Sequence, residues 1–506
     1  MKKINYLPCD ATFSVYRRSI DARKRDDIKF VYSVIVRGDF SVIPEKLQKR
    51  EHIFELSDSE PCLEIGDKPL SARPLVVGSG PAGMFASLLL AENGYAPILI
   101  ERGGDVAERV SKTDEFSKTR KLDTETNIQF GAGGAGTFSD GKLVTRINDK
   151  MSSYVLRRLV EFGAPDEILY LAKPHIGTDY LRHVVSAIMD RIVALGGEVH
   201  YHTRLDGIKR NKDGTVEAMT NKGAIHCQLV VLATGHSARD TYATLIASGY
   251  KIEPKPFSVG LRIEHLQSDI DSALYGKYAS HPALPSGEYA LSADTDTRGV
   301  YTFCMCPGGQ VVSAASEENT VVVNGMSHHA RNGRNANSAV VVSVFREDYG
   351  NTPTSAIEFQ RKIEAGAFVA GGKNYSAPIC TVGDFLNGKL SSEPSRVMPT
   401  YMDGKGVCLA RIGDFMPEFV CKSLKSGLLA FDKRIKGFAS DDAILTGAET
   451  RTSAPVRIMR DESRCAIGTD NIYPCGEGAG YAGGITSAAI DGIRTALQIM
   501  KTYKPQ

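Results

Sequence analysis

Leu75-Val76-Val77 runs directly into Gly78-Ser79-Gly80-Pro81-Ala82-Gly83 and then into the apolar positions Phe85, Leu88, Leu89 and Leu90. A strand that breaks at this glycine spacing and restarts as a helix can lay peptide nitrogens against a diphosphate. Gly78 permits the tight turn, Gly80 lets the backbone approach the pyrophosphate, and Gly83 lets the helix pack closely on the strand. Glu101 ends the next strand, and its carboxylate is placed to accept hydrogen bonds from both ribose hydroxyls of an adenosine. The same charge repels a 2′-phosphate, which disfavours NADP and leaves FAD and NAD open. Pro81, Ala82 and Arg102 fall in the same expected contact region.

The spacing recurs at Gly131-Gly133-Gly136 and at Gly478-Gly480-Gly483, but neither copy is followed by a strand that ends in an acid. Neither reads as an independent nucleotide fold. Around the first copy, Gly131, Gly133, Gly134 and Gly136 would let backbone amides crowd against a flat ring and a pyrophosphate. Thr137, Ser139, Asp140 and Lys142, with Gly141 among them, would add polar contacts. A solvent loop is the competing reading.

Further side chains carry chemistry in principle. Cys304 and Cys306 would share a face of an extended strand, yet a redox pair there would be strained, and two packed thiols are the expectation. His328 and His329 are adjacent and would point apart, which is poor metal geometry, so no metal is expected. Arg451 and Arg457, with Thr452, could set cationic donors near a ring or an anionic substrate, against the plainer reading of surface ion pairs. Arg262 and Arg411 are weaker candidates of the same kind.

The elements that would position these groups alternate between strand and helix. A helix is expected to stop at Gly94, a strand to run from Pro97 to Glu101, a second crossover helix to hold Leu181, Val184, Val185, Ile188, Ile192 and Leu195, and a strand to return at Glu198 to Tyr201. A meander from Gly207 to Cys227, turning at Lys212-Asp213-Gly214, leads into a buried strand at Leu229 to Leu232. Strands are expected at Gln310 to Ala315 and Thr320 to Asn324, and strand, turn and helix return from Asn471 to Met500. Near the N-terminus, residues 28 to 37 alternate with the period of a half-buried strand, and the polar stretch from Ser57 to Pro74 reads as a linker.

The chain has 506 residues, 61 basic against 59 acidic side chains, 42% hydrophobic and 24% charged residues. That composition is ordinary for globular chains, too long for one core, and sets up no field for phosphate backbones or lipid headgroups. Neither nucleic acid nor a membrane is an expected partner. The basic run Arg17, Arg18, Arg23, Lys24 and Arg25 is diluted by Asp21, Asp26 and Asp27. Met1 to Asp10 carries Lys2 and Lys3 without an apolar stretch behind them, so a cytoplasmic location is expected. The ten cysteines contain no CxxC, which argues for reduced thiols rather than a disulfide or zinc framework.

The string from Asn127 to Lys142, the Leu232-Ala233-Thr234-Gly235 turn and the ending from Tyr473 to Gly484 together resemble uncharacterised bacterial FAD-dependent dehydrogenases, relatives of the two-domain flavoproteins of glutathione reductase type. The resemblance runs from about residue 70 to the C-terminus and implies FAD as the cofactor. It implies that Ala233, Thr234 and Gly235 let backbone pass the cofactor, with a plain turn as the competing reading. It also implies that Gly476-Glu477 stands where such flavoproteins carry Gly-Asp, with Glu477, one methylene longer, on the ribityl chain. The helix that starts near Gly484 and Ile485 would aim its amides at the flavin N1 and C2 carbonyl.

The expected architecture is α/β: a small α+β N-terminal domain over residues 1–70, a Rossmann-like FAD domain over 71–250 and 451–506, and an inserted mixed or mostly β substrate domain over 251–450. The expected function is a FAD-dependent oxidoreductase that transfers a hydride between flavin N5 and an organic small molecule, with electrons either from NADH or NADPH docking transiently or from elsewhere. The alternatives are an electron-transfer flavoprotein whose N-terminal domain recruits a protein or RNA, and a protein that keeps FAD for structure alone.

Overall fold

The computed structural model describes residues 10–39, 43, 45–56, 60–145, 149–295, 298–389 and 392–505. The expectations for residues 1–9 and for Ser57 to Ser59 lie outside the described residues.

Strands with no polar alternation must be buried on both faces, and Leu75–Val77 and Val230–Leu232 are. They sit inside a five-stranded parallel sheet whose order is Ile472–Pro474, Val230–Leu232, Leu75–Val77, Ile98–Ile100, Glu198–His200. The chain thus leaves the sheet after Leu232 and returns to its edge only at Ile472. Pro81 opens the helix Pro81–Glu92, where a missing N–H costs nothing, and the helix is buried almost all round. It packs against the long C-terminal helix Ile485–Thr502. The crossover helix Thr178–Ala194 buries the face expected for it, and the meander forms three antiparallel strands, Leu205–Arg210, Val216–Thr220 and Gly223–Cys227.

Ile252–Pro254 and Val456–Ile458 pair antiparallel, so the intervening chain leaves and re-enters through adjacent strands. Between them lies a seven-stranded sheet built around Phe257–Leu266 and Asn335–Val344, with Ile444–Glu449 on the other side of the former. Gln310–Ser313 pairs with Val323–Met326, three residues later than the start expected at Thr320. Thr320 instead closes a turn, its Oγ1 donating to Glu317 O at 2.7 Å.

The N-terminal strand is a correction. Thr12–Asp21 and Lys29–Arg37 form a hairpin with a bulge between Val15 and Arg17; Ile20, Ile35 and Val36 are half-buried, but most of its apolar side chains are exposed, Phe13 at 55%, Tyr32 at 52% and Val34 at 56%. Alternation signals a buried face only where a layer covers it, and two strands supply none by themselves. Arg18 docks the hairpin on the FAD part, its N donating to Tyr170 O at 2.7 Å. Part of the expected linker is also a strand: Lys68–Pro69 pairs with Tyr503–Lys504.

Candidate cofactor site

In the first turn, a Cβ on Gly83 would stand 1.8 Å from Gly78 O, and one on Gly78 (φ +98°) 2.4 Å from Ala233 O. These two glycines are required by packing. Gly80 is not: its φ is −66°, and a Cβ would meet nothing nearer than Gly134 Cα at 3.9 Å. A glycine that the protein does not need for its own packing leaves room for a ligand, here at the N-terminus of a helix whose cap makes no side-chain bond.

Glu101 is buried and lines the same cavity. Its Oε2 accepts from Ser79 N at 3.0 Å and Ser79 Oγ at 2.7 Å, and its Oε1 from Gly103 N at 3.0 Å and Gly131 N at 2.9 Å. The carboxylate therefore knots three segments together at the place where a ribose was expected. Arg102 also lines the cavity, over the Phe130 ring at 4.2 Å, ion-paired with Glu125 and Asp240.

The loop from 127 to 142 faces this turn. Gly134, Gly136, Ser139, Asp140, Gly141 and Lys142 line the cavity, whereas Gly131, Gly133 and Thr137 stand behind it. Asp140 is a brace rather than a free contact: Arg331 Nε donates to it at 3.0 Å. Lys142 reaches Glu288 at 3.3 Å.

Ala233, Thr234 and Gly235 form a third part of the wall, and Glu477, Gly484 and Ile485 a fourth. Gly476 lies behind, its N donating to Asp491 Oδ2 at 2.8 Å. Burial pushes the Glu477 carboxyl up to about 7, against the pull of Lys255 and the Gly484 amide. Gly484 (φ +136°) opens the helix Ile485–Thr502 with no side-chain cap, so a second helix N-terminus points into the cavity.

The cavity has a volume of about 330 Å³, in the range of small-molecule sites. The inserted part adds Phe303, Cys304, Cys306, Asn324 and Glu449 to the wall, and Arg451 and Thr452 follow on directly after Glu449. Simple alternation does not put the two thiols there. The ladder slips between Phe303 and Cys306, and Cys304 adopts φ +43°, its carbonyl accepting from Arg262 Nη1 at 3.1 Å and Cys306 Sγ at 3.3 Å. Cys304 opens to the cavity, yet desolvation within that walled space pushes its thiol up to about 12, and burial pushes Cys306 up to about 11.

Arg451 is not a surface residue: it is buried, with Nη2 3.1 Å from Glu364 Oε2. Arg457 stands apart from the cavity lining, over the Tyr481 ring at 5.1 Å. Arg262 is buried against Glu449 at 2.9 Å, and Arg411 is exposed. His329 stacks on His175 at 5.1 Å, His328 is exposed, and no cluster of three or more metal-binding side chains occurs among the described residues.

Sequence reasoning missed Gln129, Phe130, His236, Ser237, Phe303, Asn324 and Glu449 in the lining. His236 and Ser237 directly follow the Ala-Thr-Gly turn, a signal that adjacency alone offered. Ser237 Oγ donates to Gln129 Oε1 at 3.1 Å and lies 3.0 Å from His236 Nδ1. Burial, with Arg451 and Arg239 nearby, drives His236 down to about 3, so the ring is neutral. Phe303 and Asn324 carried no local signal.

Residues 256–452 match the model of a family described as FAD-dependent protein, C-terminal domain-like, and residues 2–37 match a domain of unknown function. An uncharacterized protein of Clostridium beijerinckii is 47% identical over 511 residues, covering 99% of this chain and 95% of that protein. A digeranylgeranylglycerophospholipid reductase of Methanocaldococcus jannaschii is 26% identical over 239 residues, and the match covers 45% of this chain and 54% of that protein. A crystal structure of CtdE in complex with FAD covers 84% of this chain and 84% of its own, at 11% identity and a TM-score of 0.35.

The residues present fit FAD: a glycine cradle that a Cβ would fill, two uncapped helix N-termini and a buried acid surround one cavity. Fold and site define a flavoprotein with a Rossmann-like FAD-binding sheet. The chain belongs to the family of the Clostridium beijerinckii protein, and that family is FAD-dependent.

Proposed function

We propose that the chain is a FAD-dependent oxidoreductase acting on an organic small molecule held between the cofactor and the inserted sheet. The supporting observation is that the cavity's walls come from both parts of the chain, with Phe303, Cys304 and Asn324 of the inserted part lining it together with the glycine turns. Bound FAD supplies hydride transfer at its N5. The chain's own groups do the rest. The amides at Gly484 and Ile485 favour negative charge at one end of the cavity, and Glu477, poised near neutrality, can hold or release a proton there.

Among the described residues no second nucleotide-binding sheet accompanies the first, so NADH or NADPH would dock transiently. The reductase from Methanocaldococcus jannaschii favours the reductive direction. Small molecules, rather than nucleic acid or a membrane, are the proposed partners, and no helix of the described residues is long and apolar enough to cross a membrane. Anaerobic titration of the purified holoprotein with NADH and NADPH tests the reading: bleaching of the bound flavin by either supports it. A flavin that no donor, dithionite included, can bleach would leave FAD a structural role.

The exposed hairpin side chains favour a second reading, electron transfer with a protein docked on residues 12–37. Deleting that hairpin separates the two, because a small-molecule oxidoreductase keeps its turnover.

A further inference from the structure

The helix Val106–Thr119 carries a buried cation that nothing above uses. Arg109 is 0% exposed and, among the described residues, meets main-chain carbonyls instead of a carboxylate. Its Nη2 donates to Asn127 O at 3.1 Å and Ile128 O at 2.8 Å, its Nε to Asn127 O at 3.2 Å, and its Nη1 to Gly134 O at 3.0 Å and to Ala132 O. The side chain lies flush against Gly131, where a Cβ would stand 2.2 Å from Arg109 Cδ, and its guanidinium sits 4.7 Å from the Phe138 ring centre. Burial drags the group down only to about 9, so it is charged at neutral pH.

The opposing charge beside it is Glu101, whose oxygens are occupied by the amides of Ser79, Gly103 and Gly131. Arg182 adds a second cation on Phe138, at 4.8 Å. Asp114 and Asp179 act on Arg182, which leaves Arg109 as the cation held on the loop carbonyls themselves. The grip on Gly134 has a directional effect as well. In a trans peptide the N–H points opposite to the C=O, so a Gly134 carbonyl turned back to Arg109 turns the Ala135 N–H forward, on the stretch Gly134-Ala135-Gly136 that lines the cavity. Gly80 faces this stretch across the contact with Gly134.

We propose that Arg109 is the positioning residue for the FAD pyrophosphate: it turns the loop amides toward the anion and sets a buried positive charge behind them. This rests on the reading that places the pyrophosphate against Gly80 and the stretch 134–136, on the cavity side of their contact.

The test follows FAD release from the holoprotein by recovery of flavin fluorescence, with ADP and riboflavin as competitors, in Arg109→Met, Arg109→Lys and Gly80→Val. Arg109→Met is expected to weaken FAD and ADP about tenfold or more, a charge-assisted contribution of the usual size, with riboflavin changed less than about threefold. Arg109→Lys keeps the charge, loses the fork, and is expected to fall between. If Arg109→Met does not fold, the lysine variant decides by the same contrast between ADP and riboflavin. FAD affinity within about twofold of wild type in the methionine variant overturns the proposal, as does an equal loss of ADP and riboflavin. Gly80→Val with wild-type FAD affinity would overturn the placement beneath it; loss in Gly80→Val alone overturns only the role of Arg109.

Discussion

Arg239 and Glu364 meet in a two-pronged, fully buried pair, Nη2 to Oε1 at 2.7 Å and Nη1 to Oε2 at 2.8 Å. Arg239 opens the helix that follows the Ala-Thr-Gly turn of the FAD part, and Glu364 stands on the long helix Pro353–Ala370 of the inserted part. Arg451 and Thr450 close on the same carboxylate, so the two parts are joined by charge directly beside the cavity.

Removing that carboxylate leaves two buried guanidinium groups sharing only Glu317, which Arg239 reaches at 2.6 Å and Arg451 at 3.8 Å. Burial alone would raise the Glu364 pKa, and Arg239 with Arg451 instead holds it well below the usual range. Glu364→Gln is expected to destabilise the protein by about 3–5 kcal/mol in denaturant unfolding. A loss under about 1 kcal/mol would show that the joint draws its stability from elsewhere.

Glu477 makes stability depend on pH. Burial raises its carboxyl from the ordinary 4.5 to about 7. Below pH 4.5 folded and unfolded chains both hold the proton; between 4.5 and 7 the unfolded chain releases it while the folded one keeps it, so stability falls as pH rises and levels off above 7. Glu477→Gln in the FAD-free protein should remove this slope, gaining about 2–3 kcal/mol on wild type between pH 4.5 and 7.5. A gain that does not change with pH would mean that the carboxyl titrates normally.

What was legible in the sequence was what neighbours in the chain decide. The Leu75–Gly83 turn and Glu101 are local consequences of strand, glycine and helix, and they stand where expected. The bulge that turns Cys304 into the cavity is set by register against Asn337 and Ala339, and nothing near Cys304 announces it. Arg109 reads as one more charge on a polar helix until the loop 127–134 folds over it. The hairpin strands show the alternation of a covered sheet while both remain open, because periodicity reports the chain and not its cover.

Glu101 should matter even without FAD. Its four accepted bonds tie Ser79, Gly103 and Gly131, and Glu101→Gln turns an amide NH₂ toward groups that are themselves donors. The FAD-free variant is expected to lose about 2–4 kcal/mol. Unchanged stability with lost FAD would assign the carboxylate to the ribose alone.

Cys304 offers a chemical reading of what fills the cavity. Its side chain is exposed to that space while Cys306 beside it is buried, and its thiol is pushed up to about 12. Only the thiolate is alkylated, and well below its pKa the thiolate fraction rises about tenfold per pH unit. In FAD-free protein, iodoacetamide labelling of Cys304, read by peptide mass spectrometry, should therefore be slow at pH 8 and climb about tenfold per unit toward pH 10, with Cys306 unlabelled. Bound FAD should protect Cys304, because cofactor and thiol share one cavity. Equal labelling with and without FAD would mean that the cofactor does not cover this wall and that the substrate side of the site must be sought elsewhere.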